Sequence, residues 1–125
     1  QLDVDIFQTP SDIIIVAPIP GVEVKDIDIS IENENDVVTL QGKREIPIKD
    51  IQELDEEGGE EQLEEEEIKY LRQELEWGPF YRQIILPQEI NVSEVEAKFR
   101  KGILILKLPL LRLQTKGRKR IVVKT

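Results

Sequence analysis

The chain has 125 residues and a net charge of −9, and 34% of its residues are charged; this length supports one domain with a single hydrophobic core. Cysteine and histidine are absent, which excludes disulfides, thiolate metal sites, thiol nucleophiles and the commonest general base near neutral pH. The composition therefore excludes many enzyme classes.

The amino-terminal residues predict short strands separated by turns. Residues 2–6 alternate between apolar and polar side chains, which is the pattern of a half-buried strand. Turn-forming residues at 9–12 separate them from the apolar residues 13–17. We expect residues 13–17 to form a strand that is buried on both faces and ends at the prolines of residues 18–21.

The next segment predicts two adjacent strands. The isoleucines within residues 27–31 alternate with polar residues, so one face of this strand is apolar and the other is wet. A polar turn at residues 33–36 leads into a β-branched strand over residues 37–41. We expect that strand to end at Gly42.

Residues 46–67 form a long excursion that we expect to be a solvated loop. Residues 55–67 hold nine carboxylates and no basic residue, which leaves 17 acidic and 17 basic residues elsewhere. The loop has too few apolar residues to fold alone, although residues 64–75 are rich in good helix formers, so a helix is the alternative there. The balanced remainder argues against nucleic acid as a partner, since phosphate binding needs a basic surface.

The second half of the chain completes an all-β pattern. Strands are predicted over residues 80–86, 94–99 and 103–108, and none is joined to the next by a long helix. Together with the earlier strands this predicts an immunoglobulin-like β-sandwich of seven to nine antiparallel strands.

The last residues form a short apolar tail behind a basic linker at residues 116–120. Ile121 and Val123 are spaced by one residue, so their side chains point the same way in an extended chain. Burying both would contribute on the order of 3–5 kcal/mol before ordering costs. One such tail would dock weakly, and many tails together would dock firmly.

Four motifs stand in a characteristic order along the chain. They are PIPGV at residues 18–22, VTLQGKR at 38–44, GPFYR at 78–82 and AKFRKGILILKLP at 97–109. The last is an apolar strand entered through a basic turn with Gly102 at its corner. Together the motifs resemble the small heat-shock proteins, the α-crystallin family, over nearly the whole chain. The resemblance implies an α-crystallin domain over residues 1–109 and a carboxyl-terminal extension over residues 110–125.

The resemblance also implies a dimer that exchanges loops. In many bacterial and archaeal relatives the loop, here residues 45–78, carries a strand that pairs with the first strand of a partner subunit; we expect it between residues 68 and 75. Arg82 stands where relatives have an arginine that pairs with carboxylates of the other subunit. The implied dimer-interface residues are Val4, Ile6, Ile68, Tyr70, Leu71 and Arg82.

A docking groove is implied as well. Ile121 and Val123 match the Ile-x-Ile or Ile-x-Val tail motif of the family, which docks at the edge of a neighbouring sandwich. The implied groove residues are Ile27, Ile29, Ile31, Val95, Ala97 and Phe99. Two features depart from the family pattern. Leu110 stands where relatives usually have a lysine, and the long amino-terminal arm of relatives is missing from this sequence. The absence of an initial Met predicts that the native chain begins upstream of Gln1.

The function implied by this resemblance is that of an ATP-independent holdase. Such a protein binds partly unfolded client proteins, assembles as a homodimer and higher oligomer, and needs no cofactor and no catalysis. The alternative is a co-chaperone adaptor of the CS-domain type, although such domains generally lack the loop strand and the tail motif. A hydrolase using Asp28 and Glu32 is disfavoured, because their spacing predicts no convergent pocket.

The remaining expectations concern where the protein works. No apolar run approaches the roughly 18 residues needed to span a bilayer, and no leader pattern is present, so we expect a cytoplasmic protein without a membrane partner. The high charged fraction, with neither Cys nor Met, is typical of a thermophile.

Overall fold

The computed structural model of the protein describes residues 2–54, 69–111 and 123. Its elements are the strands β1 (Asp5–Gln8), β2 (Asp12–Pro18), β3 (Ile27–Glu32) and β4 (Val37–Arg44), the helix α1 (Ile48–Glu53), and the strands β5 (Gly78–Ile85), β6 (Glu96–Arg100) and β7 (Ile103–Pro109). Within these residues the strands form two antiparallel sheets, one in the order β1-β2-β7-β6 and one in the order β3-β4-β5. The two sheets and seven strands confirm the predicted all-β sandwich.

The hydrophobic core lies between the two sheets. Because side chains alternate along a strand, β2 and β7 each bury every second residue. The opposite sheet contributes Val38 and Leu40 from β4 and Phe80 and Ile84 from β5. The buried residues of β2 and β7 are Ile13, Ile15, Ala17, Leu104, Leu106 and Leu108.

Tight turns set the register of the sheets. Lys101 and Gly102 join β6 to β7, and both have positive φ angles of 55° and 76°, as a two-residue type I′ hairpin turn requires. A Cβ on Gly102 would lie 3.1 Å from the Pro20 Cα, so a side chain there would also crowd the segment before β3. The glycine corner of the last motif therefore has both a conformational and a packing cause.

Gly42 lies inside β4, so the prediction that this strand ends there is wrong. Lys43 and Arg44 continue the ladder by pairing with residues 79 and 78 of β5. A Cβ on Gly42 would collide with the Asp26 carbonyl oxygen and with the ring of Phe80. Glycine is needed here for close approach of neighbouring groups, and the sequence pattern had suggested a strand end.

Four other predictions need correction. Residues 13–17 are buried on one face only, because Ile14 and Val16 point away from the core and are half-buried. The strand predicted from residue 94 begins at Glu96, since Val92–Glu94 form a 3-10 turn. The excursion after β4 contains α1, which was not predicted. Residues 69–77 lie in neither a helix nor a strand, so the described part of the alternative helix at 64–75 is not formed.

Candidate functional site

The sandwich has two open sides, and at each of them an edge strand of one sheet lies near an edge strand of the other. Arg82 of β5 donates a hydrogen bond from Nη1 to the Leu2 carbonyl oxygen, at 2.9 Å, just before β1. The edges β1 and β5 therefore share one side of the sandwich. Given the strand orders, the other edges, β3 and β6, share the opposite side.

The side formed by β3 and β6 carries the six predicted groove residues, and we call it the β3/β6 groove. On β3, Ile29 pairs with Leu40 and Ile31 with Val38, so these isoleucines point between the sheets, as Ile27 also does. They remain only half-buried although they pack against the core. Val95 and Phe99 are half-buried in the same way.

Ala97 shows that this groove is open. It pairs with Leu106, which is fully buried, and residues paired across neighbouring strands share a face. Ala97 therefore faces between the sheets, yet it is exposed. Within residues 2–54 and 69–111, no side chain covers this part of the inner surface.

The opposite side is partly closed by the amino-terminal segment. Leu2 is only 3% exposed and belongs to the core, and Val4 packs against it. Phe80 and Ile84, on the edge strand β5 of this side, are buried. Ile6 is 44% exposed, so the closure is incomplete along β1.

β1 also presents an open backbone edge. It pairs with β2 on one side, and within the described residues no strand pairs with its other side. An edge of this kind leaves N–H and C=O groups able to accept another strand.

The loop residues predicted at the dimer interface are exposed where they are described. Tyr70 is 42% exposed and Leu71 is 97% exposed. Ile68 lies outside the described residues. Within the described ranges, no backbone hydrogen bond joins residues 69–77 to a strand. These residues therefore have backbone groups that could pair elsewhere.

Arg82 has a contact that the sequence did not predict. It points inward with Phe80 and Ile84 and is half-buried. Its bond to Leu2 holds the segment that leads into β1, and a guanidinium has five N–H donors. The sequence carried one signal for this contact, the apolar residue Leu2 at the start of the alternating pattern.

The tail is described at one position. Ile121 lies outside the described residues, and Val123 is exposed.

The two carboxylates weighed for a hydrolase lie far apart. Asp28 and Glu32 both point outward from β3 and lie about 13 Å apart along the strand at its usual rise, which is wider than a glycosidase carboxylate pair. A hydrogen bond from the Lys43 ammonium, 2.8 Å from Glu45 Oε1, lowers the pKa of the Glu45 carboxyl. Among the described residues there is no group of three or more potential metal ligands.

None of the helices described is long and apolar enough to cross a membrane.

Comparison with known proteins places nearly the whole chain in one family. Residues 5–124 match the Hsp20/alpha crystallin family. Small heat shock protein C2 of Rickettsia felis is 34% identical over 105 residues, covering 84% of this chain and 57% of that protein. The 18.8 kDa class II heat shock protein of Ipomoea nil is 31% identical over 108 residues, covering 84% of this chain and 56% of that protein.

Solved structures agree on the fold. Heat shock protein 16.0 from Schizosaccharomyces pombe superposes with a TM-score of 0.69 at 22% identity, covering 99% of this chain and 98% of that one. A small heat-shock protein from Xylella fastidiosa, described as having a distinct high order structure, superposes with a TM-score of 0.68 at 22% identity over 100% of this chain and 97% of that one. This chain spans somewhat more than half the length of the two curated relatives above. With the sandwich and the family match in agreement, the chain belongs to the Hsp20/alpha crystallin family of small heat-shock proteins.

Proposed function

We propose that this protein is an ATP-independent holdase, which binds apolar segments of partly unfolded proteins and prevents their aggregation. The observation that carries the proposal is the β3/β6 groove, whose inward-facing isoleucines stay half-buried beside an exposed Ala97. Inward apolar side chains that the chain itself does not cover are a surface for an apolar segment of another chain. Membership of a chaperone family supports the same reading. Binding of this kind needs no cofactor and no chemical step.

We further propose that the groove is occupied by Ile121 and Val123 of another subunit when no client is present. An Ile-x-Val tail can place both side chains against the half-buried isoleucines of β3, because alternate residues of an extended chain point the same way. Loss of tail contacts on heating would then uncover the groove. The change Ile121→Gly with Val123→Gly should reduce the mass of the assembly, whereas Val122→Gly, which alters the side chain between them, should leave it unchanged. Equal masses for all three proteins would contradict tail docking.

The dimer is proposed to form through β1 and the loop. The open edge of β1 and the unpaired backbone of residues 69–77 can satisfy each other across two subunits. Val4, Ile6, Ile68, Tyr70 and Leu71 would lie along this contact. Arg82 supports it by holding the segment before β1, and its remaining donors suit a carboxylate of the partner subunit.

Proline substitutions test this pairing sharply. In a paired strand successive N–H groups point in opposite directions, so only one of two adjacent residues donates to a given neighbour. Of Tyr70→Pro and Leu71→Pro, we expect one to dissociate the dimer and the other to have a much smaller effect. Light scattering coupled to size-exclusion chromatography measures both. A dimer that survives both changes contradicts the loop exchange.

The holdase proposal is tested by light scattering from a heat-aggregating reporter protein without ATP. Wild-type protein should suppress scattering, and added ATP should make no difference. Ala97→Arg should weaken suppression, because a charged side chain would fill the groove. Ser30→Arg places the same side chain on the outer face of β3 and is the matched control. No suppression by the wild-type protein would contradict the proposal, and a monomeric inactive chain would favour an adaptor.

The setting proposed for this activity is the cytoplasm, with unfolded proteins as partners and neither nucleic acid nor membrane. A thermophilic source fits the composition. Aggregation assays at rising temperature test the thermophilic source. The protein of a thermophile should stay folded and active well above the unfolding range of mesophile domains.

A further inference from the structure

The outer face of the four-stranded sheet carries an apolar patch. Strand alternation places five apolar side chains on this face, away from the core. Phe7 is 51% exposed and Ile105 is 37% exposed. The outward apolar residues are Phe7, Ile14, Val16, Ile103 and Ile105, and we call them the outer patch.

The outer face of the three-stranded sheet is mixed in character. Its outward side chains are polar on β3 and along most of β4, whereas Val37, Tyr81 and Ile85 add apolar surface on the same face, with Ile85 75% exposed. The exposed polar residues of this face include Asp28, Ser30, Glu32, Gln41, Lys43 and Gln83. An antiparallel sheet normally turns a polar face to water. The outer patch departs from this over five apolar side chains that the strand register makes contiguous, and it therefore points to an interaction.

Charges are distributed unevenly around the outer patch. The strand register aligns Asp5, Val16, Ile105 and Lys98 in one row across the sheet. The row therefore has an acidic end on β1 and a basic end on β6, with two apolar side chains between them. Within residues 2–54 and 69–111, neither Asp5 nor Lys98 forms an ion pair. Arg100 adds a second outward cation on β6, beside Ile103.

Such a row is complementary to itself. If two copies face each other about a two-fold axis parallel to the strands, the β1 end of one row lies opposite the β6 end of the other. Asp5 would then face Lys98 of the partner subunit, and Val16 would face Ile105 of the partner subunit. We propose that the outer patch is a homotypic interface in which two copies of this chain stack their four-stranded sheets face to face.

The second row is less complementary, because the same axis sets Phe7 opposite Glu96 of the partner subunit and Ile14 opposite Lys107 of the partner subunit. It contains Phe7, Ile14, Lys107 and Glu96. Lys107 and Glu96 are direct neighbours on β7 and β6, so their opposite charges can balance within one subunit. The aliphatic stem of Lys107 can pack on apolar surface while its ammonium stays in water. Stacked sheets in proteins lie about 10 Å apart, which leaves room for these side chains to interdigitate.

This interface differs from the proposed loop exchange and does not depend on it. Loop exchange uses the backbone edge of β1, whereas stacking uses side chains on the face of the sheet. Stacking would double the mass of whichever unit exists without it, monomer or edge-paired dimer. The two proposals can therefore fail separately.

Charge reversal provides the test. The full chain carrying Ile121→Gly and Val123→Gly, so that tails do not contribute, is studied by sedimentation equilibrium at low ionic strength. Asp5→Lys or Lys98→Glu alone would create two like-charge contacts by symmetry, and each should weaken the mass-doubling step about tenfold. The double variant Asp5→Lys, Lys98→Glu exchanges the two ends and should restore it. Unchanged association in either single variant, or no restoration in the double variant, would overturn the proposal.

A change at the centre of the outer patch gives an independent check. Ile105→Lys adds a charge where apolar side chains would meet, and Lys107 shows that β7 accepts a lysine on this face. We expect it to abolish mass doubling while the urea unfolding midpoint stays close to that of the parent. If Ile105→Lys leaves mass doubling intact and instead reduces suppression of reporter aggregation, the patch binds clients and the homotypic proposal is overturned.

Discussion

The two edge strands of the three-stranded sheet bury their inward side chains to different degrees. On β5, Phe80 and Ile84 are 6% and 5% exposed. On β3, the inward residues Ile27, Ile29 and Ile31 are all half-buried. Both strands pair with β4 and both turn apolar side chains inward, so strand pairing alone does not account for the difference.

The difference lies in what covers each edge. The β5 side is covered by Leu2 and the segment that Arg82 holds in place. The β3 side faces β6, where Ala97 is too small to fill the space and remains exposed. One side of the sandwich is thus largely completed by the chain itself, and the other is left for a segment from another chain.

The largest expected effect is a loss of unfolding free energy when a phenylalanine is removed, and this loss should differ between the two sides of the sandwich. Phe80→Ala removes a buried ring on β5 and should cost about 3–5 kcal/mol of unfolding free energy. Phe99→Ala, in the β3/β6 groove, should cost about 1–2 kcal/mol because part of that ring is already in water. Urea unfolding of both variants measures the difference. Equal losses would contradict the distinction between the two sides.

Gly42 sharpens the comparison, because the register places it between Ile27 of β3 and Phe80 of β5. Gly42→Ala pushes a methyl group toward the Asp26 carbonyl and the Phe80 ring, and overpacking of this kind should cost about 1–3 kcal/mol. Gln41→Ala, on the outer face, is the control and should stay within about 0.5 kcal/mol of the parent. Thermal unfolding distinguishes them. A neutral Gly42→Ala would mean that neither neighbour is fixed in place.

Arg82 tests what closes the β5 side. Arg82→Ala removes the hydrogen bond to the Leu2 carbonyl and should cost about 1 kcal/mol. Hydrogen exchange should quicken at residues 3–6 and stay unchanged at residues 27–31. Arg82→Lys keeps the charge and should recover part of the protection. Equal increases at both edges would show that Arg82 acts on the whole fold.

The smallest expected effect is a change in the pKa of Glu45. This residue lies just after β4 and belongs to neither open side of the sandwich. Lys43 lowers its pKa below the ordinary 4.5, so the charged form is favoured in the folded state. The contribution of this pair is present above pH 4.5 and disappears as the pH falls through the lowered pKa. An NMR titration should show the Glu45 pKa rising in Lys43→Ala. No rise would mean that another group lowers it.

The sequence predicted the sandwich well because most strands carry clear alternation. The isoleucines of β3 alternate as expected, and the apolar residues of β7 bury one face against β2. Contacts between distant residues were harder to predict. Gly42 resembles a strand end until Phe80 and Asp26 are seen beside it, and no local pattern links Arg82 to Leu2.

The groove was predicted in part. The half-buried state of Ile29, Ile31 and Phe99 follows from edge strands with one apolar face. The exposure of Ala97 does not follow from its sequence, because it depends on the distance between two sheets. Likewise, the outward Ile14 and Val16 were expected to be buried, since a run of apolar residues does not reveal whether a second layer covers it.

The most direct test of the open side is NMR mapping of tail binding. A peptide of residues 116–125 is added to labelled protein that carries Ile121→Gly and Val123→Gly. We predict chemical-shift changes confined to amides of β3 and of residues 95–99, and their loss in Ala97→Arg but not in Ser30→Arg. Changes centred on β1 and β5, or no changes at all, would contradict the account that the β3/β6 groove receives a segment of another chain.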